Sequence, residues 1–209
     1  GDWMSAASAR VAAMEATLGA DHAWVAQVAQ NLALQKSNLG NLAEADPLFA
    51  RALRINEATL GPGHPFVAAV LVNQAQLALA RNHDARADKL LRRAVDILVA
   101  AYGQDHPDVA NALEFLGTVL RRGGRLAQAD QVLRQALTIR ERTQGADHPQ
   151  LALPLVALAD VHMDDGNLEL AEALAGRALS RLRKAYGDDS EHLLPAEAVL
   201  ARVDEAAGD

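Results

Sequence analysis

A histidine recurs every 42 residues along this chain of 209 residues. The four positions are His22, His64, His106 and His148. Units aligned on these histidines cover, without gaps, residues 18–59, 60–101, 102–143 and 144–185. Residues 1–17 resemble the second half of such a unit, and residues 186–209 resemble a divergent first half. A fixed period of this length predicts that residues 1–209 form one domain built from stacked repeats.

Each unit contains two helical patterns separated by a turn. In the third unit Val109, Leu113 and Leu116 recur at spacings of three and four residues, which marks one buried face of a first helix. A second pattern follows Gly124 and ends before Gly145, where a helix C-terminal glycine belongs. Helix pairs of this size bury their apolar faces only by stacking. The predicted fold is therefore all-α, a right-handed α-solenoid of stacked antiparallel helix pairs, with four pairs and one unpaired helix at each end.

Composition narrows the classes of function. The net charge is −7 and no dense cluster of Lys and Arg occurs, so we expect no nucleic acid partner. The chain has no cysteine, which excludes disulfides and thiolate chemistry and fits a reducing, cytoplasmic compartment. No apolar run approaches the roughly 20 residues that cross a bilayer, so no membrane association is expected. The N-terminus lacks the apolar centre of a secretory signal and begins abruptly within the repeat, as an excised fragment would.

The packing positions resemble those of a known repeat family. Positions in both helical patterns match the packing residues of the tetratricopeptide repeat (TPR): Leu116, Gly117, Ala129, Leu133, Ala136 and Leu137. The 42-residue period and the opening G-x-D-H-P-x-V-A are similar to the kinesin light chain subgroup, as is NLAEADPLFARAL with its internal Pro47. The abundance of Ala and Arg resembles a bacterial member. The resemblance covers nearly the whole chain and implies a protein-interaction module without naming its partner.

The recurring Asp-His pair is open to three interpretations: a metal ligand, half of a catalytic dyad, or a structural element of the turn. Zinc binds nitrogen ligands at ~2.0–2.1 Å, whereas equivalent residues of stacked helix pairs lie roughly 8–10 Å apart. The four histidines therefore cannot share one ion. No serine or cysteine accompanies the pair in each unit, which argues against a catalytic triad. Because a proline suited to the first helical turn follows the histidine in three units, we expect a structural role, in which the ring caps a turn or hydrogen-bonds the adjacent loop.

His162, Asp164 and Asp165 form a second candidate metal site. His162 shares a core-facing column with Leu120 and Ala78, so the preferred interpretation is a partly buried turn residue. The two aspartates precede a turn glycine, where acidic residues are ordinary. A carboxylate cluster without a defined ligand loop is a weak metal signal. No phosphate-binding glycine loop and no acid pair with catalytic spacing occurs, so we expect no metal, no cofactor and no enzymatic activity.

The TPR resemblance implies where a ligand would bind, because the first helices of that fold line its concave face. The positions outside the buried stripe define the candidate peptide-binding groove: Gln27, Gln30, Asn31, Leu34, Asn38, Asn73, Gln76, Asn111, Glu114, Phe115, Thr118, Arg122, Asp160 and Asp164. Further positions complete this surface: Ala69, Val72, Ala80, Arg121, Leu153, Val156 and Ala157.

Two asparagines match a family motif within this surface. Asn31 and Asn73 fall at the second asparagine of L-N-N-L-A, whereas Phe115 and Ala157 replace it in the later units. Carboxamides donate and accept together, so they suit an extended peptide backbone. The alternative is that they are solvated polar surface. We expect an apolar side chain of the ligand near Phe115.

Charged positions predict the direction of the ligand. An acidic ligand residue is expected near Arg122 and a basic one near Asp160 and Asp164, which make their end of the surface negative.

Three classes of function fit a module of this kind. The leading hypothesis is a non-catalytic scaffold that binds a peptide or a partner protein in the groove. A second is self-association into a homo-oligomer, because uncapped solenoid ends expose apolar surface. A third is the sensor arm of a larger signalling ATPase or protease.

The sequence also predicts the local structure around one tryptophan and two prolines. Trp24 is expected to pack against the preceding helix, the alternative being an exposed binding residue. Pro195 would lie inside the last helix if that helix began like the others, at a cost of about 3 kcal/mol. Regular helix is therefore expected only from about Leu194, after an irregular lead-in. Pro154 predicts a milder distortion of the first turn of its helix.

Overall fold

The computed structural model describes residues 13, 16–17 and 19–208, and its regular elements there are nine α-helices and two 3-10 turns. The helices are α1 (Ala23–Asn38), α2 (Leu42–Leu60), α3 (Pro65–Ala80), α4 (Asp84–Tyr102), α5 (Pro107–Arg122), α6 (Leu126–Gln144), α7 (Ala152–Asp164), α8 (Leu168–Tyr186) and α9 (Leu194–Gly208). The 3-10 turns Pro149–Leu151 and Glu191–Leu193 precede α7 and α9. The helix predicted for residues 1–17 falls almost entirely outside the described residues.

The chain divides into two compact units, residues 1–101 and 102–209. In the first unit α1 packs on α2, and α2 packs on α3. In the second unit each helix from α5 to α9 packs on the next, and α5 also contacts α7. Helices that contact their neighbours in consecutive pairs are the pattern of an α-solenoid, so the predicted fold class is confirmed. No helix in the described part combines the length and the apolarity needed to cross a membrane.

The recurring histidine is the N-cap of each first helix or of the turn that precedes it. In His22, His64 and His106, as in His148, Nδ1 accepts the backbone N–H of the residue two positions ahead, at 3.1–3.2 Å. An N–H group at the start of a helix has no partner within the helix, so this bond removes an unsatisfied donor. Ser190 takes the same place before α9, where its Oγ accepts the N–H of His192 at 3.3 Å. The structural interpretation of the Asp-His motif is therefore confirmed.

Residues with a positive φ lie in the turn between the two helices of a pair and at the end of the second helix. Gly124 has φ +69° in the turn between α5 and α6. Its counterpart Asn82 has φ 57° and is the single non-glycine with a positive φ among the described residues. Gly145 ends α6 with φ 89° and ψ 153°, a region that side chains with a Cβ avoid. These positions set the helix bounds.

The two late prolines shift the start of their helices as expected. The last α-helix begins at Leu194, and the preceding Glu191–Leu193 is a 3-10 turn rather than an irregular segment. Because Pro195 has no N–H for the carbonyl of Glu191, that carbonyl accepts the N–H of Leu194 instead. Pro154 has the same effect, since α7 begins at Ala152 after a 3-10 turn.

Two burial expectations were wrong. Trp24 is 60% exposed rather than packed, because it lies in the first turn of α1, before Val25, the first buried residue of that helix. Phe66 of the next repeat is 56% exposed in the same column. Val72, expected on the ligand-binding surface, is only 6% exposed.

The third repeat shows how closely two paired helices approach. Gly117 of α5 faces Leu133 of α6, and a Cβ built on Gly117 would lie 2.5 Å from the side chain of Leu133. Leu133 is fully buried, as are Ala129 and Ala136 on the same helix. Because Gly117, Ala129 and Ala136 are small, α5 and α6 pack closely around the side chain of Leu133.

Candidate functional site

The candidate site has two parts, one in each unit: the exposed side of α1 and α3 in the first unit, and the exposed side of α5 and α7 in the second. The name first-helix face is used for either part. In the first unit Gln27, Asn31 and Asn38 are exposed on α1. Gln27 Nε2 donates a hydrogen bond to Asn31 Oδ1 at 3.3 Å, so these two carboxamides form a polar pair at the surface. The remaining predicted residues of this unit are half-buried: Gln30, Leu34, Asn73 and Gln76.

In the second unit the predicted residues of α5 differ in their environment. Asn111 and Arg122 are exposed, while Phe115 and Thr118 are half-buried. The Thr118 hydroxyl donates to the Glu114 backbone carbonyl at 3.2 Å and is thereby held against its own helix. Phe115 is thus only partly accessible at the surface of α5.

Glu114 belongs to a buried polar network that the sequence did not reveal. Its carboxylate is 12% exposed and forms a two-pronged ion pair with Arg140 of α6, which is 7% exposed. Arg140 Nη2 donates to Glu114 Oε2 at 2.9 Å, and Nε donates to the other oxygen. Arg140 Nη1 also donates to Gln150 Oε1 at 3.1 Å, and Gln144 Nε2 donates to the same oxygen at 2.7 Å.

Burial dominates the electrostatics of Glu114. Removal of water from its carboxylate raises the pKa of Glu114 above its ordinary value, and the hydrogen bond and charge of Arg140 offset only part of this rise. The two side chains fill the space between α5, α6 and the start of the fourth repeat. Glu114 thus holds the stack together more than it presents a charge to a ligand.

The acidic end of the face is compensated by arginines. Arg202 Nη1 donates to Asp160 Oδ1 at 2.8 Å, and Arg121 Nη1 donates to Asp164 Oδ2 at 2.8 Å. Arg121 also lies 4.0 Å from Asp160. Each of these two aspartates therefore has an arginine partner, which reduces the negative potential expected at this end.

A cleft of about 410 Å³ opens on the first-helix face of the fourth repeat. The lining includes positions of α7 that the sequence placed on this surface, among them Leu153, Val156 and Ala157. Further lining residues come from the end of α8, from the 3-10 turn Glu191–Leu193 and from the start of α9. The full lining is Pro149, Gln150, Ala152, Leu153, Val156, Ala157, Asp160, Leu182, Tyr186, Glu191, His192 and Pro195.

The walls from α8 and the last helix were missed from the sequence. Tyr186 and His192 lie with ring centroids 4.3 Å apart, and Tyr186 is 48% exposed. Tyr186 is the last residue of α8 and His192 lies in the turn before α9, and such positions are not part of a periodic apolar pattern. A comparison of equivalent positions in successive repeats would have given one signal, because Leu182 stands where the previous repeat has Arg140.

His162 is partly buried, as expected, and is engaged with α6. Its Nε2 lies 3.0 Å from Asp130 Oδ1, and its side chain is 12% exposed. Burial opposes ionisation of Asp130, but Arg134 and His162 together outweigh it and lower the pKa of this carboxyl. Asp164 pairs with Arg121 instead, so the histidine and this aspartate belong to different ion pairs.

Comparisons with known proteins agree on the architecture. One family model described as Tetratricopeptide repeat matches residues 26–100, 85–142 and 108–162, and a second of the same description matches residues 155–192. The fold is similar to BtubC (BKLC) from P. vanneervenii, with 21% identity and a TM-score of 0.71 over 80% of this chain and 66% of that one. The chain thus spans just under two thirds of that protein. No curated protein matches the sequence.

Kinesin light chain-like proteins are also among the similar structures. One from Podosopora anserina, with nearly identical TPR-like repeats, has 23% identity and a TM-score of 0.75 over 90% of this chain and 89% of that one. A single-substitution variant of it has 24% identity and a TM-score of 0.74, over 87% and 86% of the two chains. At these identities the likeness shows the fold, and it confirms the resemblance to kinesin light chain-like repeats.

Proposed function

We propose a function from one premise: the chain belongs to the tetratricopeptide repeat family. Its repeat array is a protein-interaction scaffold, as the fold of that family supports. Our proposal is narrower. The first-helix face binds an extended or short helical peptide segment of a partner protein, without catalysis and without a cofactor.

The cleft of the fourth repeat is the observation that carries this proposal. A groove of about 410 Å³ with a mostly apolar lining is the kind of concavity that takes a side chain of a partner. Leu153, one of its lining residues, is 59% exposed and is therefore accessible to a partner. The cleft lies among positions that the family resemblance assigned to ligand binding.

Carboxamides on the first unit support backbone recognition. Asn31 is exposed and Asn73 is half-exposed, and each side chain carries both a donor and an acceptor for a peptide group. Such contacts hold a main chain with little regard to its sequence. In the second unit, sequence preference comes from side-chain sites such as the cleft and the half-buried Phe115.

The test begins with capture of a partner from the native host and then uses paired substitutions. Asn73→Ala is expected to weaken binding by about 1 kcal/mol through lost hydrogen bonds. Arg122→Glu is expected to cost more, with an effect that shrinks at high salt, because it reverses a charge on the first-helix face. Affinity is measured by calorimetry at two salt concentrations.

Substitutions on the second helices are the matched controls. Lys89→Glu reverses an exposed charge on α4, and Gln131→Ala removes an exposed carboxamide on α6. Both are expected to leave the affinity unchanged. The proposal is refuted if the partner binds normally to the first-helix variants and loses affinity for these two.

A further inference from the structure

The third and fourth repeats differ at one place on the first-helix face. Positions 42 residues apart are equivalent, so Val156 corresponds to Glu114 and Leu182 corresponds to Arg140. Ala157 in turn corresponds to Phe115. Three large side chains of the third repeat are thus replaced by three smaller apolar ones in the fourth.

In the third repeat this space is filled. Arg140, whose side chain is 7% exposed, spans from α6 to the carboxylate of Glu114 and on to Gln150. Phe115, the next residue of α5, is also bulky and is half-buried. A ligand side chain finds no room there without breaking a buried ion pair, which is strongly destabilising.

In the fourth repeat the same space is open. Val156 and Ala157 are too short to reach across it, and Leu182, which also lines it, is 8% exposed. Pro149 and Pro195 bound the cleft, and neither proline has a backbone N–H to satisfy. The cleft is therefore open because the side chains at these positions of the fourth repeat are small.

The rim of the cleft carries one uncompensated carboxylate. Asp160 is neutralised by Arg202 at 2.8 Å. Glu191, which also lines the cleft, is exposed and forms no ion pair with any residue in the described part of the chain. A cation placed next to an apolar group would meet Glu191 while the apolar group enters the cleft.

We infer that this cleft is a specificity subsite for one large apolar side chain, of leucine size or larger, adjacent to a lysine or arginine in a linear segment of the partner. The inference rests on the proposed function and makes it specific. Burial of the apolar side chain supplies most of the affinity, and Glu191 selects the basic neighbour. The filled third repeat makes the fourth the place where this pair is read.

The test uses two displayed peptide libraries with random flanks, one with a fixed Leu-Lys pair and one with a fixed Leu-Glu pair. Both are selected against the unmodified protein and against Ala157→Phe, which places the Phe115 side chain of the third repeat into the cleft. This substitution adds no buried charge, and circular dichroism verifies its fold. Peptides enriched on the unmodified protein are expected to bind Ala157→Phe at least about tenfold more weakly.

A second pair of variants tests the two halves of the subsite. The double substitution Val156→Glu, Leu182→Arg recreates the filled network and is expected to remove the enrichment of apolar-basic peptides. Glu191→Lys keeps the cleft and is expected to shift the preference from Leu-Lys toward Leu-Glu. Because Glu191 is exposed, this variant folds regardless of the fate of the double one.

The outcomes separate the two proposals. If peptides bind the unmodified protein and Ala157→Phe equally well, the subsite is refuted while binding elsewhere on the first-helix face stands. If Leu-Lys and Leu-Glu peptides are enriched equally and Glu191→Lys changes nothing, the basic neighbour is refuted. Absence of any enriched peptide on the unmodified protein overturns the subsite and the peptide-binding function together.

Discussion

At the scale of single residues, the repeat is specified by hydrogen bonds between neighbours in sequence. A histidine is an uncommon N-cap, yet here its Nδ1 reaches the N–H two positions ahead in four successive repeats. Serine does the same before the last helix. Histidine and serine can both serve as the N-cap here, because each provides a hydrogen-bond acceptor for the same backbone N–H.

His106→Ala is expected to lower the free energy of unfolding by about 1 kcal/mol, because one backbone N–H loses its acceptor. His106→Ser restores an acceptor and is expected to recover much of the loss, although the ring contact of His106 with Tyr102, at 4.2 Å, is not restored. Urea denaturation of the three proteins measures this, with metal content determined in parallel. Stoichiometric zinc that disappears with His106→Ala would contradict the capping role.

Gly117→Ala is expected to destabilise the protein by about 1–3 kcal/mol, because its Cβ would overlap the buried side chain of Leu133. Gly176→Ala is the matched control. Gly176 lies on the exposed side of α8 with nothing within 4 Å of a new Cβ, so alanine there is expected to stabilise by about 0.5–1 kcal/mol. Thermal unfolding of both variants is the measurement, and a loss of equal size in the two would refute the close-packing explanation.

At the scale of elements, ion pairs connect helices of successive repeats. Asp46 of α2 accepts from Arg86 of α4 at 2.9 and 3.1 Å and from Arg81 at the end of α3 at 3.2 Å. Its side chain is 25% exposed, so the contacts are partly shielded from water. The hydrogen bond from Arg86, aided by the charges of Arg86 and Arg81, lowers the pKa of Asp46 despite the opposing effect of burial.

The lowered pKa of Asp46 gives a stability contribution with a defined pH dependence. A folded-state pKa below the unfolded one means that the unfolded chain binds the proton more tightly. The contribution is therefore present above the ordinary value of 3.8 and is lost as the pH falls through the folded-state pKa. Asp46→Asn is expected to lower stability by up to about 1 kcal/mol at neutral pH.

The gap between the unmodified protein and Asp46→Asn is expected to narrow on acidification below about pH 4. Asp96→Asn is the control, because Asp96 is exposed on α4 and makes no ion pair within the described residues. Denaturant titrations at several pH values provide the measurement. A gap that stays constant down to low pH would show that Asp46 contributes by packing alone.

At the scale of the whole molecule, a solenoid is stabilised by contacts between successive helix pairs. Such a chain opens locally, and damage to one repeat spreads mainly to its neighbours. Hydrogen exchange is expected to show that Gly117→Ala lowers amide protection in α5 and α6 while protection in α1 and α2 is retained. An equal loss in all four helices would instead indicate one cooperative unit.

Sequence reasoning located the elements because their signals are local. The period of 42 residues predicted where each first helix lies, and Pro195 correctly predicted that the last helix begins at Leu194. Asn82 and the turn glycines mark the reversals, since backbone conformation at these positions depends on the residue itself. A resemblance in packing residues was then enough to predict the fold class.

The sequence predicted which side of each first helix is exposed, but it did not predict which residues near the border of that side are buried. Trp24 was expected to be packed and is exposed, while Val72 was expected on the surface and is buried. Glu114 was expected to face a ligand and instead pairs with Arg140. Periodicity says which side of a helix is apolar, but it does not say how far a neighbouring helix covers the border of that side.

The sequence by itself therefore determined the repeat, its helices and their caps, because each depends on hydrogen bonds and backbone angles within a few residues. Only the tertiary structure decided that the third repeat is closed and the fourth is open. That difference depends on whether the side chain at position 140 or 182 reaches one on another helix, 26 residues away in both repeats. Space between helices is set by such distant pairs, and no local pattern encodes it.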